Sequence, residues 1–274
     1  MTRPRSSHLL TILPLALGLG ACVDNNADSG LTVLKVVPAE SGCEFSTGGD
    51  RFQASGLIQS NSSAGYLIAP EVRNDLSLAD GEQVTPKTVF ITGAQVVIKF
   101  YDDDLFDATV EETMARDGVT RFVVPVAGSV EPNAGTAVIP FTAVPVELLR
   151  LIEENLRAKN LSDTLLDVQL QIIGTRGGSA IESNLFRYPV EVCIDCVVSN
   201  LGLCANLSGA DTFGRGGACN PLQDGALDCC VGVDPDDREF PCQAGGDPPP
   251  AGFVCADGVD EAAPVICPAH PIQL

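Results

Sequence analysis

The side chains with the most chemistry in this 274-residue chain are eleven cysteines: Cys22, Cys43, Cys193, Cys196, Cys204, Cys219, Cys229, Cys230, Cys242, Cys255 and Cys267. Closely spaced thiols can shuttle electrons, hold zinc or cross-link an exported chain. Cys193-Ile194-Asp195-Cys196 has C-x-x-C spacing. It ends a run that alternates like a strand, whereas a redox pair sits where a strand turns into a helix. No histidine lies near it to complete a zinc set. Cross-linking is the favoured reading, with the last strand pinned, for instance to Cys43 near the first. Cys229 and Cys230 are adjacent; neighbours bridge each other only with distorted geometry, so two separate partners are expected.

The acidic and glycine-rich runs are weaker candidates. Asp102-Asp103-Asp104 with Asp107 is a carboxylate cluster at a strand end. Calcium needs about six to eight converging oxygens, and consecutive strand residues point to opposite faces. Val233-Asp234-Pro235-Asp236-Asp237 lacks the spacing and the glycine of an EF-hand loop. Gly214-Arg215-Gly216-Gly217 has the glycines of a phosphate loop without the preceding strand or following helix. No metal site and no cofactor is expected.

The N-terminus supplies an address. Arg3 and Arg5 precede an apolar run from Leu9 to Leu19, and Leu19-Gly20-Ala21-Cys22 follows. A positive flank, a short apolar stretch and small residues before a cleavage point make a secretory signal. The run is too short for a spanning helix, which needs roughly 20 apolar residues. Leu19-Gly20-Ala21-Cys22 resembles the lipobox of bacterial lipoproteins. The resemblance implies cleavage before Cys22, a diacylglycerol on its sulfur and an acyl group on its freed amine. Val23 after the cysteine leans towards the outer membrane. Cys219-Asn220-Pro221-Leu222-Gln223-Asp224-Gly225 resembles a segment of uncharacterised myxobacterial-type exported lipoproteins with a cysteine-rich tail, a family without a known activity.

With Cys22 spent on lipid, the ten other cysteines are an even set, as a disulfide framework in an oxidising compartment requires. Spacing leaves their connectivity open. Removing residues 1–21 takes away Arg3 and Arg5 and no acid, leaving 14 basic against 36 acidic residues, a net charge of −22. That field repels nucleic acid and anionic headgroups and keeps the body soluble. His8 leaves with the signal, so His270 is the one histidine of the mature chain. A Ser-His-Asp triad or a multi-histidine metal site is therefore not expected. A pair of carboxylates working as a hydrolase is the remaining catalytic option.

Four parts are expected: a signal (1–21), a lipidated polar tether (22–30), a β-sandwich (31–196) and an irregular cysteine-rich tail (197–274). Strands are read at 31–37, 66–72, 89–101, 120–126, 136–144, 164–173 and 184–194. In 164–173, Leu166, Val168, Leu170 and Ile172 share one face, with Asp167, Gln169 and Gln171 facing water. Phe186, Tyr188, Val190, Val192 and Ile194 share another. About seven short strands with turns between them suit an immunoglobulin-like sandwich. One crossover helix is read over 145–159, from Leu149, Ile152 and Leu156 behind Pro145. The tail is rich in Pro, Gly and Asp and must be defined by cross-links. Tyr66, Tyr101 and Tyr188 are expected in the core or at its rim.

The function expected is non-catalytic: an envelope lipoprotein with a structural, display or interaction role. It would be joined to the membrane by its lipid, with a possible protein partner in the envelope. The alternative is a module that binds a ligand or a protease through the disulfide-rich tail.

Overall fold

Alternation of apolar and polar residues builds most of the molecule. The computed structural model describes residues 30–81, 83–101, 105–203, 214–233, 239–240 and 265–266. In chain order the elements are β1 (Leu31–Val36), β2 (Gly56–Gln59), β3 (Tyr66–Ile68), β4 (Pro70–Asn74), β5 (Val89–Phe100), α1 (Ala108–Arg116), β6 (Arg121–Val130), β7 (Gly135–Val138), β8 (Phe141–Val144) and α2 (Val146–Lys159). They continue with β9 (Asp163–Arg176), β10 (Ser179–Glu182), β11 (Phe186–Cys193), β12 (Val198–Leu203), β13 (Leu227–Val233), β14 (Glu239–Phe240) and β15 (Val265–Ile266).

The largest sheet runs β2-β11-β9-β5-β6, with β10 folded back on β9. Its pairs are antiparallel except β2 with β11, which run parallel. A second sheet runs β1-β4-β7, and β3 pairs with β8. The chain is thus mainly β. Leu166, Val168, Leu170 and Ile172 of β9 are fully buried, and so are Val96 of β5 and Val190 and Val192 of β11. They share one core with Leu31 and Val33 of β1, Val72 of β4, and Leu148, Leu149, Ile152 and Leu156 of α2. Each such side chain contributes about 1.5–3 kcal/mol by leaving water.

Two side-chain amides fasten neighbouring elements. Val33 of β1 donates its N–H to Asn184 Oδ1 at 2.7 Å. Leu67 of β3 donates its N–H to Gln223 Oε1 at 2.9 Å, and Gln223 Nε2 donates back to the Leu67 carbonyl at 2.7 Å. In each case an amide side chain supplies the partner that a strand neighbour would supply.

Several expectations are corrected. A second helix, α1, accompanies the crossover helix. Its buried face consists of Met114 alone, so no apolar stripe marked it in the sequence. The run read at 66–72 is two strands in different sheets, parted at Ala69–Pro70, and that at 136–144 is parted at Pro140. Proline lacks the N–H a continuous ladder needs. Asp167 does not face water: its side chain is 6% exposed, 2.6 Å from Arg187 of β11. Part of the segment expected to be irregular is strand, with β12 and β13 paired in parallel. Among the described residues no helix is long and apolar enough to cross a membrane.

Candidate functional site

Polar and sulfur chemistry gathers where the edge of β2 meets residues 214–228. Leu222 accepts the Gln59 N–H at 3.0 Å, Asp224 donates its N–H to the Leu57 carbonyl at 2.8 Å, and Gln223 bridges Ile58. Residues 222–224 therefore cover the outer edge of β2 as an added strand would. The Asp224 carboxylate accepts the Leu57 N–H at 2.7 Å and Gln223 Nε2 at 2.9 Å.

The same carboxylate accepts the hydroxyl of Tyr66 at 2.9 Å, and that hydroxyl lies 3.0 Å from the hydroxyl of Tyr188. Both rings are buried, and their centroids are 6.2 Å apart. Burial holds the Tyr66 hydroxyl far above the ordinary tyrosine range, and the nearby Asp224 and Tyr188 raise it further. Burial raises Tyr188 as well, with its bond to Tyr66 opposing and Asp224 assisting. Gly56 is needed beside them, because a Cβ there would run into the Tyr66 hydroxyl. The cluster can hold protons and strand ends in place. It does not release a proton at neutral pH.

Two disulfides frame this flank. Cys43 bonds Cys219, 176 positions on in the chain, with Cα atoms 4.5 Å apart. Cys193 bonds Cys196, with Cα atoms 5.9 Å apart. Cys43 thus joins the later segment and not the last strand, and the C-x-x-C pair closes on itself. Cys193 is buried with Val197 and Leu227, while Cys196 is exposed. The backbones of Cys229 and Cys230 lie in β13. Their side chains lie outside the described residues, as do Cys22, Cys204, Cys242, Cys255, Cys267 and His270.

A cleft of about 290 Å³ opens between the 36–53 arm and residues 217–224. Val36, Val37, Phe45 and Phe52 supply apolar walls, and Gln53, Asn220, Gln223 and Asp224 supply polar lining. The arm is anchored to the sheet by Lys35, whose Nζ lies 3.3 Å from Glu71 Oε2 and donates to the Gly49 carbonyl. Gly48 donates its N–H to the same Glu71 at 3.1 Å.

The other candidates separate from this flank. Asp107 occupies the N-cap position of α1, and Asp102, Asp103, Asp104, Asp234, Asp236 and Asp237 lie outside the described residues. In the glycine-rich run, Gly214 donates to Asp228 Oδ2 at 2.7 Å and Gly216 to the Ala226 carbonyl at 2.9 Å. Those amides are used within the loop and do not face a phosphate. Tyr101, the residue after β5, is 54% exposed. Among the described residues no group of three or more His, Cys, Asp or Glu is placed to hold a metal ion. Sequence reading missed the Tyr66–Tyr188–Asp224 cluster. A buried tyrosine requires a partner for its hydroxyl, which was the available signal.

No protein-family model and no curated protein matches the chain. Among solved structures it is similar to a protein from Archaeoglobus fulgidus known from its crystal structure. The two share 13% identity with a TM-score of 0.31, over 51% of this chain and 93% of that one. A likeness of that size carries neither a fold nor a function across.

Proposed function

We propose that this chain is an exported envelope lipoprotein, anchored through lipid on Cys22, whose immunoglobulin-like sandwich serves display or interaction and not catalysis. The observation that carries the reading is the Cys43–Cys219 bridge, which ties the arm after β1 to a segment 176 positions away. Structural disulfides of this kind persist in oxidising compartments and are rare in the cytosol. The lipobox-like Leu19-Gly20-Ala21-Cys22 supplies the anchor, and Val23 favours the outer membrane. The immunoglobulin-like assignment is supported by strand order. β5, β9 and β11 are neighbours as strands C, F and G are in such domains, with β6 beside β5 and β1-β4-β7 in a separate sheet. The non-catalytic reading is supported by tyrosines held neutral and by a carboxylate already bonded to Tyr66.

The test is metabolic labelling with a palmitate analogue followed by membrane fractionation. The wild-type chain should carry label and sediment with the outer membrane, and Cys22→Ser should lose label and become soluble. An unlabelled wild type, or a Cys22→Ser chain labelled as strongly, contradicts the anchor. A ligand-binding module is the second reading, favoured by the cleft of mixed polar and apolar lining that residues 217–224 help to build.

A further inference from the structure

We propose that the cleft between the 36–53 arm and residues 217–224 receives an apolar side chain from a basic peptide segment of a partner protein. The inference deepens the interaction reading above and rests on it for the existence of a partner, not for the chemistry of the cleft.

Three observations carry it. Phe52 is 66% exposed, the highest value among the large apolar side chains described, and it lies on the cleft wall with Phe45. An exposed aromatic ring on the apolar wall of a concave site is a usual form of a binding anchor. At about 290 Å³ the cleft is at the small end of ligand pockets, the size of a side chain and not of a nucleotide. Its surroundings are acidic. Glu40 and Glu44 adjoin the lining residues Ala39 and Phe45 in the chain, Asp50 lies two positions before Phe52, and Asp224 is itself a lining residue. Arg51 and Lys35 are the cations beside the lining residues, and each sits next to a carboxylate: Arg51 lies 3.9 Å from Glu40 and Lys35 3.3 Å from Glu71. An apolar wall with a negative rim is complementary to an apolar residue flanked by lysine or arginine.

Both walls are held before any partner arrives. The Cys43–Cys219 bond joins them, Glu71 holds the arm through Lys35 and Gly48, and Gln223 holds the other wall to Leu67. A preformed site loses less entropy on binding. The cleft also begins at Val36, the last residue of β1. That six-residue strand, about 20 Å long at ~3.3 Å per residue, separates it from Gly30.

The test is fluorescence anisotropy of the full chain with a labelled pentapeptide carrying one phenylalanine between pairs of lysines. Saturable binding is expected that weakens as salt rises. Phe52→Ala should weaken it about tenfold, and Glu44→Lys should weaken it in the same direction. Both side chains are exposed, so neither change disturbs the core. Val123→Ala, at a residue 57% exposed on the edge strand β6, should leave binding unchanged. Absent binding, equal binding of a glutamate-flanked peptide, or no loss in Phe52→Ala overturns the proposal. Benzylamine competing as strongly as the peptide overturns it in favour of a small cationic ligand. The assay reads binding whether or not Cys22 carries lipid, so its failure is separate from failure of the anchor.

Discussion

The interior of the large sheet and the flank around Asp224 are held by opposite means. In the interior, Val96, Leu166, Val168, Leu170 and Ile172 are sealed from water, and their polar atoms are backbone groups satisfied by the ladder. At the flank the buried apolar cluster is Cys193, Val197 and Leu227. The remaining hold comes from two disulfides, two phenols, a carboxylate and amide side chains. Burial without a specific partner tolerates a change of solvent chemistry. A contact set built on sulfur and single hydrogen bonds does not. The flank is therefore the part of the molecule that reductant and pH can address.

The largest effect should come from the interior. Leu170→Ala leaves a cavity at a site with no exposed surface and should cost about 3–5 kcal/mol in urea unfolding. Replacing Cys43 and Cys219 by serine should cost about 2–4 kcal/mol, since the bond closes a very long loop. Hydrogen exchange locates this loss: the amides of Leu57 and Gln59 should exchange faster while those of β9 keep their protection. Equal acceleration in both places would merge the two regions into one. The Cys193–Cys196 loop is short, so its loss should cost about 2 kcal/mol or less.

Smaller effects sharpen the contrast. Tyr66→Phe removes the bonds to Tyr188 and Asp224 and should cost about 1–3 kcal/mol. The raised folded-state values of both tyrosines keep their contribution fully present below the unfolded tyrosine value of about 10, and it is lost as pH rises beyond that. Their phenolate absorbance should accordingly appear only together with unfolding; a reversible titration in the folded chain contradicts the geometry. Asp167 runs the other way. Burial opposes its charge, but hydrogen bonds from Arg187 and Gln169 and the nearby cations outweigh that and hold it below the ordinary carboxylate range. Its contribution is present above about pH 4 and lost as pH falls through the folded value. Asp167→Asn should flatten the acid limb of the urea midpoint against pH. Arg187 is largely exposed, so the effect should be the smallest of the set.

What could be read in advance follows the same division. β5, β9, β11 and α2 were legible because one face of each is buried, and burial writes a period of two or 3.6 into the chain. β2 was not. Its four residues stand between Ser55 and Ser60 and carry no alternation, and it is defined by β11 on one side and residues 222–224 on the other. The flank was legible in its parts and illegible as an assembly. Cys43, Cys219 and Tyr66 were all noted, but Asp224 reaches Tyr66 across 158 positions. No local pattern encodes that meeting. The cysteine count indicated cross-linking, and folding decided which sulfurs met.

The central claim is most directly tested by mass spectrometry of the native chain taken from its membrane, digested without reduction. The account predicts a processed terminus at Cys22 with acyl mass on it, and a linked peptide pair containing Cys43 and Cys219. A chain that still begins at Met1, with Cys22 unmodified and Cys43 and Cys219 as free thiols, contradicts it.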